Sequence, residues 1–318
     1  MAGSMRKVLV VYYSQSGQLE RAARAVASPL QEAGHSVDYL RLEPARAYPF
    51  PWGFWSFLDS FPESVALDPP ALAPWSASAR YDLVLLAWSP WFLSPAPPTT
   101  AFLRSEAART LLRGTPVVTL TANRGMWMLA HEQVRTLLAE AGARHSDHIA
   151  LVDPHKISSF VTTPAWLLTG RQHPIASLPR AGVPDAEIAG AARFGRALAA
   201  ALTAGTLDGS RPVLSGLGAA TVDPGLLMSE KVGRRSFQVW SKLVRSAGGP
   251  GATARRPVLA IYVLFLIAMI VTVVPLSLLI RTLLKPLLRA RLAAQAAAYE
   301  QPSGAGTERM REFAETPM

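Results

Sequence analysis

The sequence predicts an α/β fold, a doubly wound sheet of five parallel strands covered by helices on both faces. Three observations predict it. Short apolar runs, too short for helices, recur along the first two thirds of the chain. Helix-period stretches alternate with them, as in a parallel sheet buried on both sides. The runs end in loops rich in Ser, Gly, Pro, Asn and Trp, and ligands of such sheets sit beyond the carboxyl ends of the strands.

The elements follow from local pattern. Residues 7–13 read as the first strand, and 19–33 read as a helix with one apolar stripe, stopped by Gly34. Further strands are expected at 35–42, 80–88, 115–122 and 147–153, and further helices at 99–112, 128–141 and 184–204. The resulting domain, 5–204, carries an insertion at 44–78 and a stretch at 155–180 suited to a lid. A chain of 318 residues holds one such domain and something smaller.

There is no cysteine, which excludes a disulfide framework, a thiolate metal site and a cysteine nucleophile. The net charge of +10 divides into +3 over 1–204 and +7 over 205–318. Every charged residue from Lys231 to Arg291 is basic. That basic stretch surrounds an apolar run, so membrane lipids with anionic headgroups are the expected partner and nucleic acid is not.

Residues 257–280 carry no charge, with Arg255 and Arg256 before them and Arg281 and Lys285 after. About 20 apolar residues span a bilayer, so a C-terminal transmembrane or re-entrant helix is expected here. A basic linker at 205–256 would precede it, with a short amphipathic helix at 236–245 that sets Trp240 at headgroup depth. A tail at 281–318, basic and then polar, would follow. Both flanks are basic, so the positive-inside rule favours the preceding side as cytoplasmic only weakly. Pro275 offers a kink that would turn the helix back. Residues 8–13 are too short for a signal peptide, so the domain is expected at the cytoplasmic face of the plasma membrane.

The chemically unusual loops follow strands one, three and four. In the first, Ser14 and Ser16 supply hydroxyls, Gly17 lets the backbone close in, and the amides of Gln15 to Gln18 would face a phosphate at a helix N-terminus. This loop resembles the phosphate loop of flavodoxins; no Gly-x-Gly-x-x-Gly or Gly-Lys-Ser/Thr signature favours another nucleotide. Leu19 departs from the flavodoxin pattern, which has a hydroxyl near that position. The second loop, Ser89-Pro90-Trp91-Phe92, resembles the flavin-flanking loop of flavodoxin-like quinone reductases. That resemblance implies that Trp91 or Phe92 stacks on an isoalloxazine ring. The third loop contains Thr121, Asn123, Arg124, Gly125 and Met126. The same resemblance implies that it meets the pyrimidine side of the flavin, with amides or Arg124 stabilising charge at N1 of the reduced ring. The implied cofactor is FMN, and no metal is implied.

Four stretches, 51–64, 91–95, 123–127 and 153–155, go beyond general flavodoxin features. They resemble the dialkylresorcinol-condensing enzymes of bacterial dialkylresorcinol and aryl-polyene pathways. Decarboxylative condensation holds its acyl chain on a thiolate, and this chain has none. The resemblance therefore implies the redox step of such a pathway: an FMN-dependent aromatase oxidising a dialkylcyclohexane-1,3-dione to a dialkylresorcinol. Hydride would leave for flavin N5 while a base takes a neighbouring proton. His155 is the expected base and His131 the second choice, and 157–168, with Phe160 and Trp166, would cover the alkyl chains. The implied partners are a hydrophobic substrate with alkyl chains and a pathway ketosynthase. Three readings compete: a membrane-bound NAD(P)H:quinone-type flavin reductase, a flavodoxin-type electron carrier, and an adaptor without cofactor. The carrier is disfavoured by the charge of the domain and by its 44–78 insertion.

Overall fold

The structure, a computed structural model, describes residues 5–77, 80–155, 158–173 and 175–314; the side chains of 270 and 273–289 lie outside what it describes. The first half of the chain contains β1 (Lys7–Tyr12), α1 (Gln18–Glu32), β2 (Ser36–Arg41), α2 (Phe54–Asp59), α3 (Phe61–Ala66), β3 (Leu83–Trp88), β4 (Pro90–Trp91), β5 (Ser94–Pro95), α4 (Pro97–Arg104), α5 (Glu106–Leu112), β6 (Pro116–Asn123) and α6 (Met128–Glu140). After these come β7 (Arg144–Val152), α7 (Ser159–Thr169), α8 (Asp185–Gly190), α9 (Ala192–Ala204), α10 (Pro224–Ser246) and α11 (Arg255–Glu300).

The main sheet runs β2-β1-β3-β6-β7 with every neighbour parallel. This is the expected doubly wound five-stranded sheet. The order reverses between β1 and β3, the switch point at which helices leave in opposite directions and open a crevice. Side chains alternate across the sheet. Val8 and Val10 of β1 pack with Ala22, Val26, Phe194 and Leu198 of α1 and α9. Leu9 and Val11 pack with Phe102, Leu112, Val134 and Leu138 of α4, α5 and α6. Both faces are therefore apolar, which is why the strands read as continuous hydrophobic runs.

The insertion becomes α2 and α3, and these dock the C-terminal helices. Arg255 is 1% exposed, and its guanidinium meets Asp59 at 3.1 Å and Glu63 at 2.6 Å. Ser241 Oγ donates to the Pro62 carbonyl at 2.8 Å.

The C-terminal third departs from the expected linker and tail. Residues 205–223 pack against the β7 edge, where the Ala150 amide donates to the Ala219 carbonyl. The expected short interfacial helix is the end of α10, which is 23 residues long, and Trp240 packs on Tyr262 and Phe265 instead of standing free. Residues beyond α11 return to the sheet: Ser303 Oγ donates to Asp147 at 2.9 Å, and the His148 amide donates to Ser303. The apolar run 257–280 opens α11, which has 46 residues, and its part 273–280 falls among the undescribed side chains. Among the described residues no helix is long and apolar enough to cross a membrane.

Helices α1 and α9 touch at Gly195, where a Cβ would lie 2.1 Å from the Val26 carbonyl oxygen and 3.0 Å from Pro29. Backbone cannot yield as a side chain can, so Gly195→Ala should force the helices apart. The expected loss is about 2 kcal/mol of stability, in the range of overpacked cores, read as a lower urea midpoint. An unchanged midpoint would mean that this contact is slack.

Candidate functional site

The loop after β1 forms the floor of the switch-point crevice. Gly17 caps α1 in the left-handed region at φ 81°, with open space where a Cβ would stand. The amides of Ser16, Gly17, Gln18 and Leu19 meet no acceptor among the described residues, and they gather at the positive end of the α1 dipole. Ser14 Oγ accepts from the Glu20 amide at 3.3 Å, which folds the loop onto the helix.

The side chains of Gln15 and Gln18 serve the walls. Gln15 Nε2 donates to the Pro49 carbonyl at 2.7 Å, and its Oε1 accepts from Trp52 Nε1 at 2.8 Å. Gln18 is buried, and its amide exchanges two hydrogen bonds with the backbone of Val183, at 3.2 and 3.1 Å. Only the backbone of this loop and the Ser16 hydroxyl remain for a ligand.

The loop after β3 makes a two-residue hairpin, β4 against β5, with Phe92 at φ 49° and Leu93 at φ 60°. Non-glycine residues in this region store strain, and such strain clusters at functional sites. Ser89, half-buried, accepts the Ala96 amide through its carbonyl at 2.9 Å. Pro90 starts the hairpin, and Trp91 meets Tyr48, Trp52 and Tyr13 edge-on, with ring centroids 5.1, 5.4 and 6.0 Å away. Phe92 points the other way, toward Phe57 and Phe61.

In the loop after β6, Asn123 Oδ1 accepts from the Gly125 amide at 2.6 Å and shapes the turn. Asn123 Nδ2 and the buried Thr121 Oγ1 meet no partner among the described residues. Arg124 lies over the Phe160 ring at 4.7 Å and donates to the Ser159 carbonyl at 3.4 Å, reaching into α7. Gly125 faces Leu226 of α10, and Met126 is half-buried beside it.

Helix α7 and residues 48–52 close over these loops. The Trp52 amide donates to the Leu167 carbonyl, and Trp166 borders Gly182 beside Gln18. Asp153, 1% exposed, accepts from the His155 amide at 2.8 Å and from the Gly182 amide at 3.0 Å. His155 itself is exposed.

His131 sits elsewhere, in a closed cluster. Thr119 Oγ1 contacts His148 Nδ1 at 2.8 Å, His145 Nε2 at 2.9 Å and His131 Nε2 at 3.4 Å, and His131 stacks on His148 at 3.7 Å. A hydroxyl donates once and accepts twice, so one threonine can serve three neutral imidazoles. Burial, then mutual repulsion and Arg135, hold His131 well below its ordinary value; burial does the same for His148. His145 is lowered to about 4, chiefly by burial. His131 is thus a neutral core residue, and of the two candidate bases only His155 is exposed.

Several site residues lack a motif in the sequence. Tyr13, Tyr48 and Trp52 complete the aromatic cluster, and Glu230 of α10 accepts the Met128 and Leu129 amides at 3.2 and 2.9 Å, capping α6. Burial pushes Glu230 up to about 7, against those two hydrogen bonds. The one signal for Glu230 was that it is the last acidic residue before the basic stretch that begins at Lys231.

The residues fit FMN at both ends. Four open amides at a helix N-terminus suit a phosphate dianion, and the unpartnered Thr121 hydroxyl and Asn123 amide suit the polar edge of a flavin ring. Between them, the described side chains of Trp91, Tyr48 and Trp52 pack into one another.

No family model and no curated protein matches the chain. Among solved structures it is similar to a putative flavoprotein from Bacteroides uniformis, with 20% identity, 48% of this chain and 94% of that one covered, and a TM-score of 0.36. It is similar to a flavodoxin from the domain Archaea, with 14% identity, 62% and 98% covered, and a TM-score of 0.35. It is also similar to a Lactobacillus acidophilus flavoprotein in complex with FMN, with 18% identity, 46% and 91% covered, and a TM-score of 0.34. At these values the fold rests on its own strand order. Nothing in the comparisons points to the dialkylresorcinol-condensing enzymes.

Two opposed pH effects follow. The three histidines stay neutral in the folded chain while the unfolded chain takes up protons near pH 6.5, so stability falls as pH drops from 6.5 toward 4. Glu230 works in reverse: the folded state holds its proton up to about pH 7, so its share is lost between about 4.5 and 7 as pH rises. Glu230→Gln should therefore steepen the acid-side loss of stability, measured by urea midpoints from pH 4.5 to 7. Parallel curves for the two proteins would refute the assignment.

Proposed function

We propose that the chain is an FMN-dependent oxidoreductase, and more finely an aromatase converting a dialkylcyclohexane-1,3-dione into a dialkylresorcinol at a membrane. The observation that carries the flavin reading is the set of open amides around Gly17 at the β1/β3 switch point. FMN, when bound, supplies a hydride acceptor. The chain's own residues do the rest. The α1 N-terminus holds the phosphate end, and Thr121 and Asn123 meet the polar edge of the ring. The roof of α7 and residues 48–52 excludes water and presents Phe50, Trp52 and Trp166 to alkyl chains. The dione enolises readily, and His155, exposed and with its backbone held by Asp153, takes the proton. The aromatase itself is supported by the sequence resemblance, the lack of cysteine and the apolar roof. The packed state of Trp91 favours a second reading, an adaptor that has lost its cofactor.

The purified protein should be yellow and release FMN on denaturation. Gly17→Asp should abolish binding by charge repulsion. Gly17→Asn, which tolerates the same backbone without the charge, should bind more weakly but retain some flavin. Equal loss in both would point to strain, and a colourless, FMN-indifferent wild type would favour the adaptor. Without oxygen, the dione should bleach the bound flavin once, and in air it should yield resorcinol. His155→Ala should keep the colour and lower turnover roughly 10²-fold. Flavin that NAD(P)H reduces and quinones reoxidise, with no response to diones, would replace the aromatase with a quinone reductase.

A further inference from the structure

Both ends of α11 are fastened to the same body. At its start, Arg255 is buried against Asp59 and Glu63, and the Gly251 amide donates to Asp59 at 2.7 Å. At its end, the Glu300 carboxylate accepts the Val222 amide at 3.1 Å. The Ala220 and Gly218 amides donate to the carbonyls of Gly304 and Gly306, and Ser303 is tied to Asp147. A helix that crosses a bilayer once puts its two flanks in different compartments. These flanks share one globular domain.

Path length adds a second constraint. Helix α11 sets out antiparallel to α10, with Leu259 beside Val244 and Tyr262 beside Trp240. It finishes beside Val222, just before α10 begins. From Trp240 back to Pro224, α10 covers about 24 Å, whereas α11 from Tyr262 to Glu300 would cover about 57 Å if straight, at 1.5 Å per residue. The excess of about 30 Å of helix has to leave the body and return. Helices bend sharply at proline, and Pro275 and Pro286 fall inside that stretch.

The departing limb has the chemistry of a lipid contact. Ile261, Leu264, Ile267 and Val271 are exposed along one side, Leu264 at 68% and Val271 at 67%. Beside it, α10 exposes Met228, Val232, Val239 and Leu243, spaced to form a single stripe, with Arg235 and Lys242 exposed between them. No acidic residue occurs from Lys231 to Arg291, so the charge complement is an anionic surface.

We propose that α11 is a re-entrant arch that enters one leaflet of an anionic phospholipid bilayer and returns to the same side, with α10 lying in the headgroup plane. This rests on the membrane reading of residues 257–280 and is independent of flavin. The two basic flanks, contradictory for a single crossing, are what one side of a membrane requires. The arch also sets the crevice beside the lipid, because α10 caps α6 through Glu230 and covers Gly125 with Leu226.

The full chain has no cysteine, so single cysteines report cleanly. Ser246→Cys and Ala297→Cys lie at exposed positions before and after the arch. Added to sealed phosphatidylcholine–phosphatidylglycerol vesicles, the protein should float with them, and more than with phosphatidylcholine alone. Both cysteines should react with an impermeant maleimide from outside, and a polarity-sensitive dye at Val271→Cys should shift to the blue. If one cysteine is protected until detergent is added, the arch is overturned while membrane insertion stands. If the protein does not float, both are overturned, and equal flotation on the two vesicle types removes the anionic partner. Retained flavin colour or an unchanged circular dichroism spectrum certifies that each variant folds.

Discussion

The buried carboxylate of Asp147 holds the C-terminal third of this protein in place. It lies in β7 with no exposure and accepts from the Val213 and Leu214 amides at 3.1 and 3.0 Å and from Ser303 Oγ. A buried carboxylate is costly unless its oxygens are hydrogen-bonded. Burial raises its pKa, and these three donors oppose that rise. The residue thus has to collect partners, and those it collects come from the chain before α10 and the chain after α11. One side chain ties down both sides of the helical excursion. The same contacts cover the edge of β7, which would otherwise expose unpaired backbone.

From that constraint the position of α10 follows, and with it the character of the crevice. Held at its N-terminal side near Val222, α10 runs across the carboxyl end of the sheet and places Glu230 on the first turn of α6. The insertion, clasped by Arg255, brings Trp52 and Tyr48 to Trp91. The switch point is thereby enclosed by three segments remote from one another in sequence. The loop after β1 keeps its backbone and the Ser16 hydroxyl for a ligand, since the Gln15 and Gln18 side chains are engaged in holding remote segments.

The central strands were legible in the sequence because they are buried on both faces and so appear as unbroken apolar runs, as in 83–88. Gly17 was legible because a strand-to-helix turn with open amides needs a positive φ. The partners of Trp91 were not foreseeable: Tyr13, Tyr48 and Trp52 carry no motif, and Tyr48 and Trp52 arrive through the insertion. His131 shows the converse. It is the second choice of base, yet the alternation of β6 and β7 turns Thr119 and His148 toward it and closes it into the core.

The sequence by itself determined the parallel sheet, the glycine-capped loop, the exclusion of thiol chemistry, and an uncharged run with basic residues on both sides. These are properties of composition and of periods two and 3.6, and each is readable within a short window. Only the tertiary structure decided that the two basic flanks belong to one body, that the presumed linker is a helix packed over the crevice, and that His131 is closed into the core while His155 is exposed. Those outcomes rest on hydrogen bonds and ion pairs such as Asp147 with Ser303 and Arg255 with Glu63. Their partners are separated by 156 and 192 residues, a distance at which local pattern carries no information.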